Sequence, residues 1–189
     1  MPPPATRLNL GKSRALLVDD NQASLDLLSQ VLAGFHLQRL RTCLSAAEAR
    51  GLVSAEKFDL IFIDYAMPGE DGLHLARHIR SDPMSPNQTA PIVILHGFTP
   101  EDMVMNARDA GANMIIRKPV VPAILLSRLE WIARDTREFV DSARYRGPDR
   151  RIRSAPLSPD VPERRADALA LIGDLNRAMS QDDVTALFG

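Results

Sequence analysis

Three aspartates and one lysine carry the chemistry this sequence offers. Asp19 and Asp20 close the run RALLVDD, Asp64 closes DLIFID, and Lys118 follows NMIIR and precedes Pro119. Carboxylates gathered at neighbouring positions repel one another and attract a hard divalent cation. Mg2+ suits such oxygen ligands and keeps several waters of its own. A lysine at the same rim supplies positive charge for an anionic group such as a phosphoryl. The reaction class implied is attack of a carboxylate on a phosphoryl donor, with metal and lysine neutralising the oxygens. One aspartate at a strand end would be read as solvated. The set, in this order, is what points to a site.

These residues meet only if the elements before them bring their ends to one place. Leu25, Leu28, Val31, Leu32 and Phe35 mark one face of a helix. Ser45 with Glu48 three residues on forms a capping box at the start of the next. Residues 60–63 read as a buried strand, followed by a turn rich in Pro and Gly and a helix from about Leu73 to Arg80. PIVILHG is another apolar strand. Thr99 and Pro100 open a helix that Gly111 closes. NMIIRKP supplies a fifth strand, and LQRLRTC is the weakest of the five. A long helix is expected from Pro122 to Ala143. Strands alternating with helices predict an α/β, doubly wound, five-stranded parallel sheet with right-handed crossovers. Continuous apolar strands fit a sheet covered on both faces. In such sheets the functional crevice lies at the carboxyl ends of the strands, where the four residues stand.

Over about Arg14 to Ala143, the segments LLVDDN, DLIFIDYAMPGEDG, PIVIL and GANMIIRKP resemble response-regulator receiver domains of the CheY-like kind. That resemblance implies a flavodoxin-like fold and a two-component signalling role. It makes Asp64 the phosphoacceptor, supplied by a histidine kinase or phosphotransfer protein. It assigns Asp19, Asp20, Asp64 and the Ala66 carbonyl to Mg2+, with Asp19 acting through water. Lys118 contacts the phosphoryl group, and Met67, Pro68 and Gly72 shape the loop after Asp64. Such a chain catalyses only its own phosphotransfer and dephosphorylation and signals by protein contact, as in chemotaxis or motility. Two positions depart from the pattern. His96 stands where the family has Thr or Ser, and Ile115 where it has an aromatic switch residue. His96 can hydrogen-bond a phosphate and titrate near neutrality, or simply occupy the rim. A receiver that does not switch, serving as scaffold or inhibitor, is therefore an alternative.

Beyond residue 143 the sequence changes character. Residues 144–165 carry seven arginines against three acids, whereas 166–189 carry one against four. The first segment reads as a linker. Its spacings, Arg146-x-x-Asp149 and Arg146-x-x-x-Arg150, also resemble those of proteins that bind cyclic di-GMP. Arg150-Arg151 is echoed by Arg164-Arg165, as in the arginine-rich extensions of CheY-like Cle proteins. Nucleic acid is a weaker reading, with Tyr145 alone available for stacking. The second segment predicts an amphipathic helix through Leu169, Ile172, Leu175 and Met179. It is followed by a short stripe of Val184, Leu187 and Phe188 behind a Ser180–Asp183 cap. That stripe resembles the peptides by which FliM and CheZ engage CheY, which implies docking on this receiver or on a neighbour's. The expected organisation is thus a receiver at 14–143, an arginine-rich linker at 144–165 and a helical tail at 166–189. The two extra turns of the last receiver helix offer a homodimer seam or a support for the tail.

Composition limits the remaining classes. The net charge of −1 argues against a general nucleic-acid binder, and no DNA-binding module is visible after residue 143. The single cysteine, Cys43, forms no intrachain disulfide and fits a reducing compartment. No apolar run reaches a membrane span, so a cytoplasmic protein without a membrane partner is expected. GKS at Gly11 lacks the first glycine of a phosphate loop. His74 and His78 share a helix face without a third ligand and read as surface or packing residues.

Overall fold

A computed structural model describes residues 7–97, 102–150 and 170–172. The central sheet comprises β2 (Arg14–Val18), β3 (Arg39–Cys43), β4 (Leu60–Asp64), β5 (Ile92–His96) and β6 (Met114–Arg117), after a short β1 (Arg7–Asn9). All five are parallel, in the order β3-β2-β4-β5-β6. The helices are α1 (Gln22–Gly34), α2 (Ala46–Ala55), α3 (Gly72–Ser81), α4 (Met103–Asp109) and α5 (Pro122–Arg134).

Alternation along each strand divides the core into two layers. Leu16, Val18, Ile61, Ile63, Ile92 and Ile94 face α2, α3 and α4. Ala15, Leu17, Leu60, Phe62, Val93 and Leu95 face α1 and α5. Even the weak strand β3 is in place, because β2 pairs with it along its whole length from Arg14–Arg39 to Val18–Cys43. Cys43 is buried there. Burial, with the nearby Glu48 carboxylate, pushes its thiol up to about 12 and keeps it protonated and inert.

Helix starts follow local hydrogen bonding. Asn21 Oδ1 accepts from Ala23 N and Ser24 N at 2.9 and 3.3 Å. Ser45 Oγ accepts from Glu48 N at 3.2 Å, while Glu48 Oε2 reaches back to Leu44 N at 3.2 Å. The box therefore closes one residue earlier than Ser45. Pro122 takes the first turn of α5, and Gly111 follows α4 with φ 82°. The cap expected at Thr99 and Pro100 lies outside the described residues.

The chain departs from expectation at α5, which ends at Arg134 rather than running to Ala143. The cause is Asp135. Its Oδ1 accepts the Arg137 backbone N–H at 3.1 Å and both carboxylate oxygens hold the Arg137 guanidinium, which turns the chain. Phe139 and Val140, spaced as a continuing helix face, instead enter β7 (Phe139–Asp141). It pairs antiparallel with β8 (Arg146–Pro148). The start of the expected linker is thus a hairpin strand.

That hairpin is anchored to the receiver. Arg80 is 2% exposed, and its guanidinium donates to Gly111 O, Gln88 O, Ala90 O and Asn113 Oδ1. The Phe139 ring covers it at 5.6 Å. Arg146 bonds Asp141 across the hairpin at 2.7 Å and Ser81 O at the end of α3 at 2.6 Å. Arg150 stacks on Tyr145 at 3.8 Å and pairs with Asp109 of α4 at 3.0 Å. Gly111 and Gly147 let the backbones touch, since a Cβ at Gly147 would lie 2.7 Å from Gly111 Cα. Burial raises the Tyr145 phenol above its ordinary value, and Arg150, Arg80 and Arg137 only partly reverse this.

One more element differs from expectation. Residues 170–172, predicted inside a helix, form β9 (Ala170–Ile172), antiparallel to β1 and lying against α5. Strand pairing supplies backbone partners that an isolated short helix would have to supply for itself. Among the described residues, no helix is long and apolar enough to cross a membrane.

Candidate functional site

The carboxyl ends of β2, β4 and β6 converge as the sheet order requires. Asp19 follows Val18, Asp64 ends β4, and Lys118 follows Arg117. Backbone bonds extend the ladder past the strand ends and hold these residues in register. Asp19 N donates to Cys43 O at 3.2 Å, Tyr65 N to Leu95 O at 2.7 Å, and Lys118 N to His96 O at 2.7 Å. The Lys118–Pro119 peptide is cis.

Asp19 and Asp64 are 3% and 5% exposed, whereas Asp20 is exposed. One carboxylate oxygen from each of the three lies within 4.8 Å of the others. Lys118 Nζ donates to Asp19 Oδ2 at 2.6 Å and is ion-paired with Asp64 Oδ1. The second oxygen of each buried aspartate is taken by the backbone: Asp19 Oδ1 by Asn21 N and Asp64 Oδ2 by Ala66 N, both at 2.9 Å. Burial on its own would lower the Lys118 ammonium. Hydrogen bonds and charge from Asp19 and Asp64 outweigh burial, and the net shift is upward. Lys118 therefore keeps its proton throughout the neutral range.

The donor set fits Mg2+. It is all oxygen and anionic, it converges on one point, and its exposed member leaves room for retained water. An ammonium already spans two of the three carboxylates and offsets part of their charge.

The loop after Asp64 depends on Gly72. Its N–H donates to Tyr65 O at 2.9 Å, and a Cβ there would lie 2.2 Å from Asp64 O and 2.9 Å from Ile63 Cγ2. Gly72→Ala must therefore push β4 and α3 apart at the site. It is expected to cost about 1–3 kcal/mol, read as a lower urea midpoint at unchanged slope.

His96, at the end of β5, is 5% exposed, and its carbonyl is the acceptor for Lys118 N. Ile115 lies opposite Ile94 and packs on the α2–α3–α4 side of the sheet. The structure thus brings Asp19, Asp20, Asp64, Ala66, His96 and Lys118 together at one rim. The Arg146–Arg150 group lies in the hairpin against α3 and α4, with Arg146 on Asp141 and Arg150 on Asp109. Arg151, Arg164, Arg165, Val184, Leu187 and Phe188 lie outside the described residues. His74 is exposed and faces Asp71, the cap of α3, at 3.5 Å.

Three features of the site were not anticipated. Asn21 both caps α1 and binds Asp19; an Asn directly before a helical pattern is the signal that would have revealed it. Arg50 of α2 pairs with Glu70 in the loop after Asp64, a contact 20 residues apart with no local signature. Beside the carboxylates lies a cavity of about 370 Å³, lined by Asp19 and Lys118 and by apolar side chains of α1 and the β6–α5 loop.

Residues 15–130 match the response regulator receiver domain family. PetR of Rhodobacter capsulatus is 36% identical over 127 residues, covering 66% of this chain and 50% of PetR. The transcriptional regulatory protein PdtaR of Mycobacterium tuberculosis is 32% identical over 130 residues, covering 66% of this chain and 61% of PdtaR. The sensory/regulatory protein RpfC of Xanthomonas campestris is 29% identical over 140 residues, which is 72% of this chain but 19% of RpfC. The chain therefore spans less than two thirds of the length of each of these relatives. Among solved structures, the receiver domain of the Arabidopsis thaliana histidine kinase CKI1, complexed with Mg2+ and BeF3−, aligns with TM-score 0.56 and 26% identity. That alignment covers 66% of this chain and 97% of the other. Vibrio cholerae chemotaxis protein CheY4 aligns with TM-score 0.59 and 25% identity, covering 64% and 98%.

Proposed function

We propose, for a chain that belongs to the family of response-regulator receiver domains, that Asp64 accepts a phosphoryl group from a histidine kinase or phosphotransfer protein. One observation carries the reading: Asp19, Asp20 and Asp64 converge within 4.8 Å and Lys118 bridges two of them. In the transfer, an Asp64 oxygen bonds to phosphorus as the donor's N–P bond breaks. The freed imidazole nitrogen keeps the electron pair and takes a proton. Lys118 lets go of Asp64 and meets a phosphoryl oxygen, while its contact with Asp19 keeps it in place. The Ala66 N–H stays near the receiving oxygens. Asp19, Asp20, Asp64 and the Ala66 carbonyl would hold Mg2+, whose charge offsets that of the phosphoryl oxygens.

The output is proposed to be protein contact, and a motility pathway is the setting favoured by the likeness to a chemotaxis protein. Phosphotransfer to itself is the only chemistry assigned, and a cytoplasmic location follows from partnership with a kinase. The test is incubation of the full chain with acetyl phosphate and Mg2+, read by mass spectrometry. One added phosphoryl group, absent when EDTA replaces Mg2+, is the expected result. No added mass under either condition would overturn the reading.

Within the described residues, Arg146 and Arg150 of the C-terminal stretch are assigned a structural role. Arg146 and Arg150 spend their charge on Asp141 and Asp109. A cyclic di-GMP molecule bound by this stretch would compete with those carboxylates. Calorimetry therefore discriminates: affinity for the nucleotide should rise in Asp109→Asn with Asp141→Asn if that site exists. Absence of heat in both forms is the outcome expected here.

A further inference from the structure

The loop that follows Asp64 has little regular structure to hold it. Residues 65–71 belong to neither strand nor helix, and Gly69 sits at φ 82°. Yet this loop carries both backbone groups of Ala66 that matter to the site. Its N–H donates to Asp64 Oδ2 at 2.9 Å, and its carbonyl is the candidate cation ligand. Among the described residues, three kinds of anchor hold the loop. Its ends are tied by the backbone, Tyr65 N to Leu95 O at 2.7 Å and Gly72 N to Tyr65 O at 2.9 Å. Met67 is 8% exposed and sits in the apolar layer shared with α2 and α3. The third anchor is the ion pair from Arg50 of α2 to Glu70, a side-chain tether that reaches the loop from outside the β4–α3 connection.

Arg50 starts from a fixed point. It lies in the middle of α2, which Ser45 caps and whose Ala46, Ala49 and Val53 are buried in the core. The side chains of the pair are 38% and 26% exposed. A pair of that exposure shifts an equilibrium by up to about fivefold. That is little for folding, but Mg2+ demands near-ideal octahedral geometry, and groups that orient its ligands from outside tune its affinity.

We infer that Arg50 is a positioning residue. By holding Glu70 it fixes the loop that offers the Ala66 carbonyl to the cation site of Asp19, Asp20 and Asp64. The effect on Mg2+ rests on those carboxylates binding the ion, whereas the tether itself does not. Charge alone makes a different prediction. Arg50 is a cation close to a cation site, so its removal would tighten Mg2+ if only Coulomb forces acted. Glu70 is an anion in the same place, so its removal would weaken Mg2+. A tether loses its effect when either end is cut, and cutting both adds nothing.

The experiment titrates MgCl2 into the full chain and into full-length Arg50→Gln, Glu70→Gln, the double variant and Arg50→Lys. Backbone amide shifts of residues 64–72 are followed without phosphodonor. Glutamine forms helix about as well as arginine, so α2 should persist. All three glutamine forms are expected to bind Mg2+ about threefold more weakly than wild type. The double variant should be no worse than either single one, and Arg50→Lys should recover most of the loss. Mg2+ affinity unchanged or tightened in Arg50→Gln would overturn the positioning role, as would losses that multiply in the double variant. Absence of saturable shifts in wild type would overturn the carboxylate cluster as a cation site, and the positioning role with it.

Discussion

Asp64→Asn is expected to abolish Mg2+-dependent labelling by acetyl phosphate, lowering the rate on the order of a thousandfold or more. The substitution is nearly isosteric, so β4 and the loop that Gly72 allows should persist. The carboxamide can still accept the Ala66 N–H through its oxygen. It cannot act as the nucleophile at phosphorus, and it removes one of the three charges that gather the cation. Lys118 keeps Asp19 as a partner, so stability should change by under about 2 kcal/mol. A folded Asp64→Asn chain that still takes up a phosphoryl group at the wild-type rate would show that the acceptor is elsewhere. Lys118→Ala is a useful companion. It leaves the carboxylates without their bridging ammonium, so it should sharpen the dependence on Mg2+ while labelling slows.

The largest loss of stability is expected from Arg80→Ala. Arg80 is almost fully buried, and its fork serves three backbone carbonyls and the Asn113 side chain. Truncation strands those acceptors and opens a cavity beneath Phe139. The sum is about 3–4 kcal/mol, or a fall in Tm of about 10 °C for a domain of this size. Lysine should recover only part, because an ammonium cannot match the planar fork of donors. The change should also loosen the β7–β8 hairpin, whose ring and backbone rest on Arg80 and Gly111. Amides of 139–148 would then exchange faster than those of β4. A melting temperature within a degree or two of wild type would mean that the hairpin and Arg80 are not coupled.

The contrast between these two residues shows what the sequence made legible. Asp64 was visible because a continuous apolar run has one reading, a strand buried on both faces, and its end is then a defined place. The same holds for Asp19 and Lys118, and the parallel order of the sheet brings the three together. Arg80 gave no such signal. It closes an amphipathic helix, where arginine is ordinarily solvated, and only the return of the chain at Gly111 and Phe139 buries it. The hairpin was hidden for a related reason. Phe139 and Val140 fit the stripe of α5 as well as they fit a strand, and a turn at Asp135 decided between them. Likewise, Arg146 and Arg150 looked like a charge run because their carboxylate partners, Asp141 and Asp109, are set by tertiary contact. The cavity beside Asp19 could not be read at all, since its walls come from α1 and from the segment around Val120.

The central claim is that Asp64, within a cation-binding carboxylate cluster, receives the phosphoryl group. It is tested most directly by titrating the full chain with beryllofluoride in the presence of Mg2+, following backbone amide shifts. The account predicts saturable shifts over residues 64–72 and 118–120 that vanish without Mg2+ and in Asp64→Asn. Shifts that persist in Asp64→Asn, or none that depend on Mg2+, would contradict it.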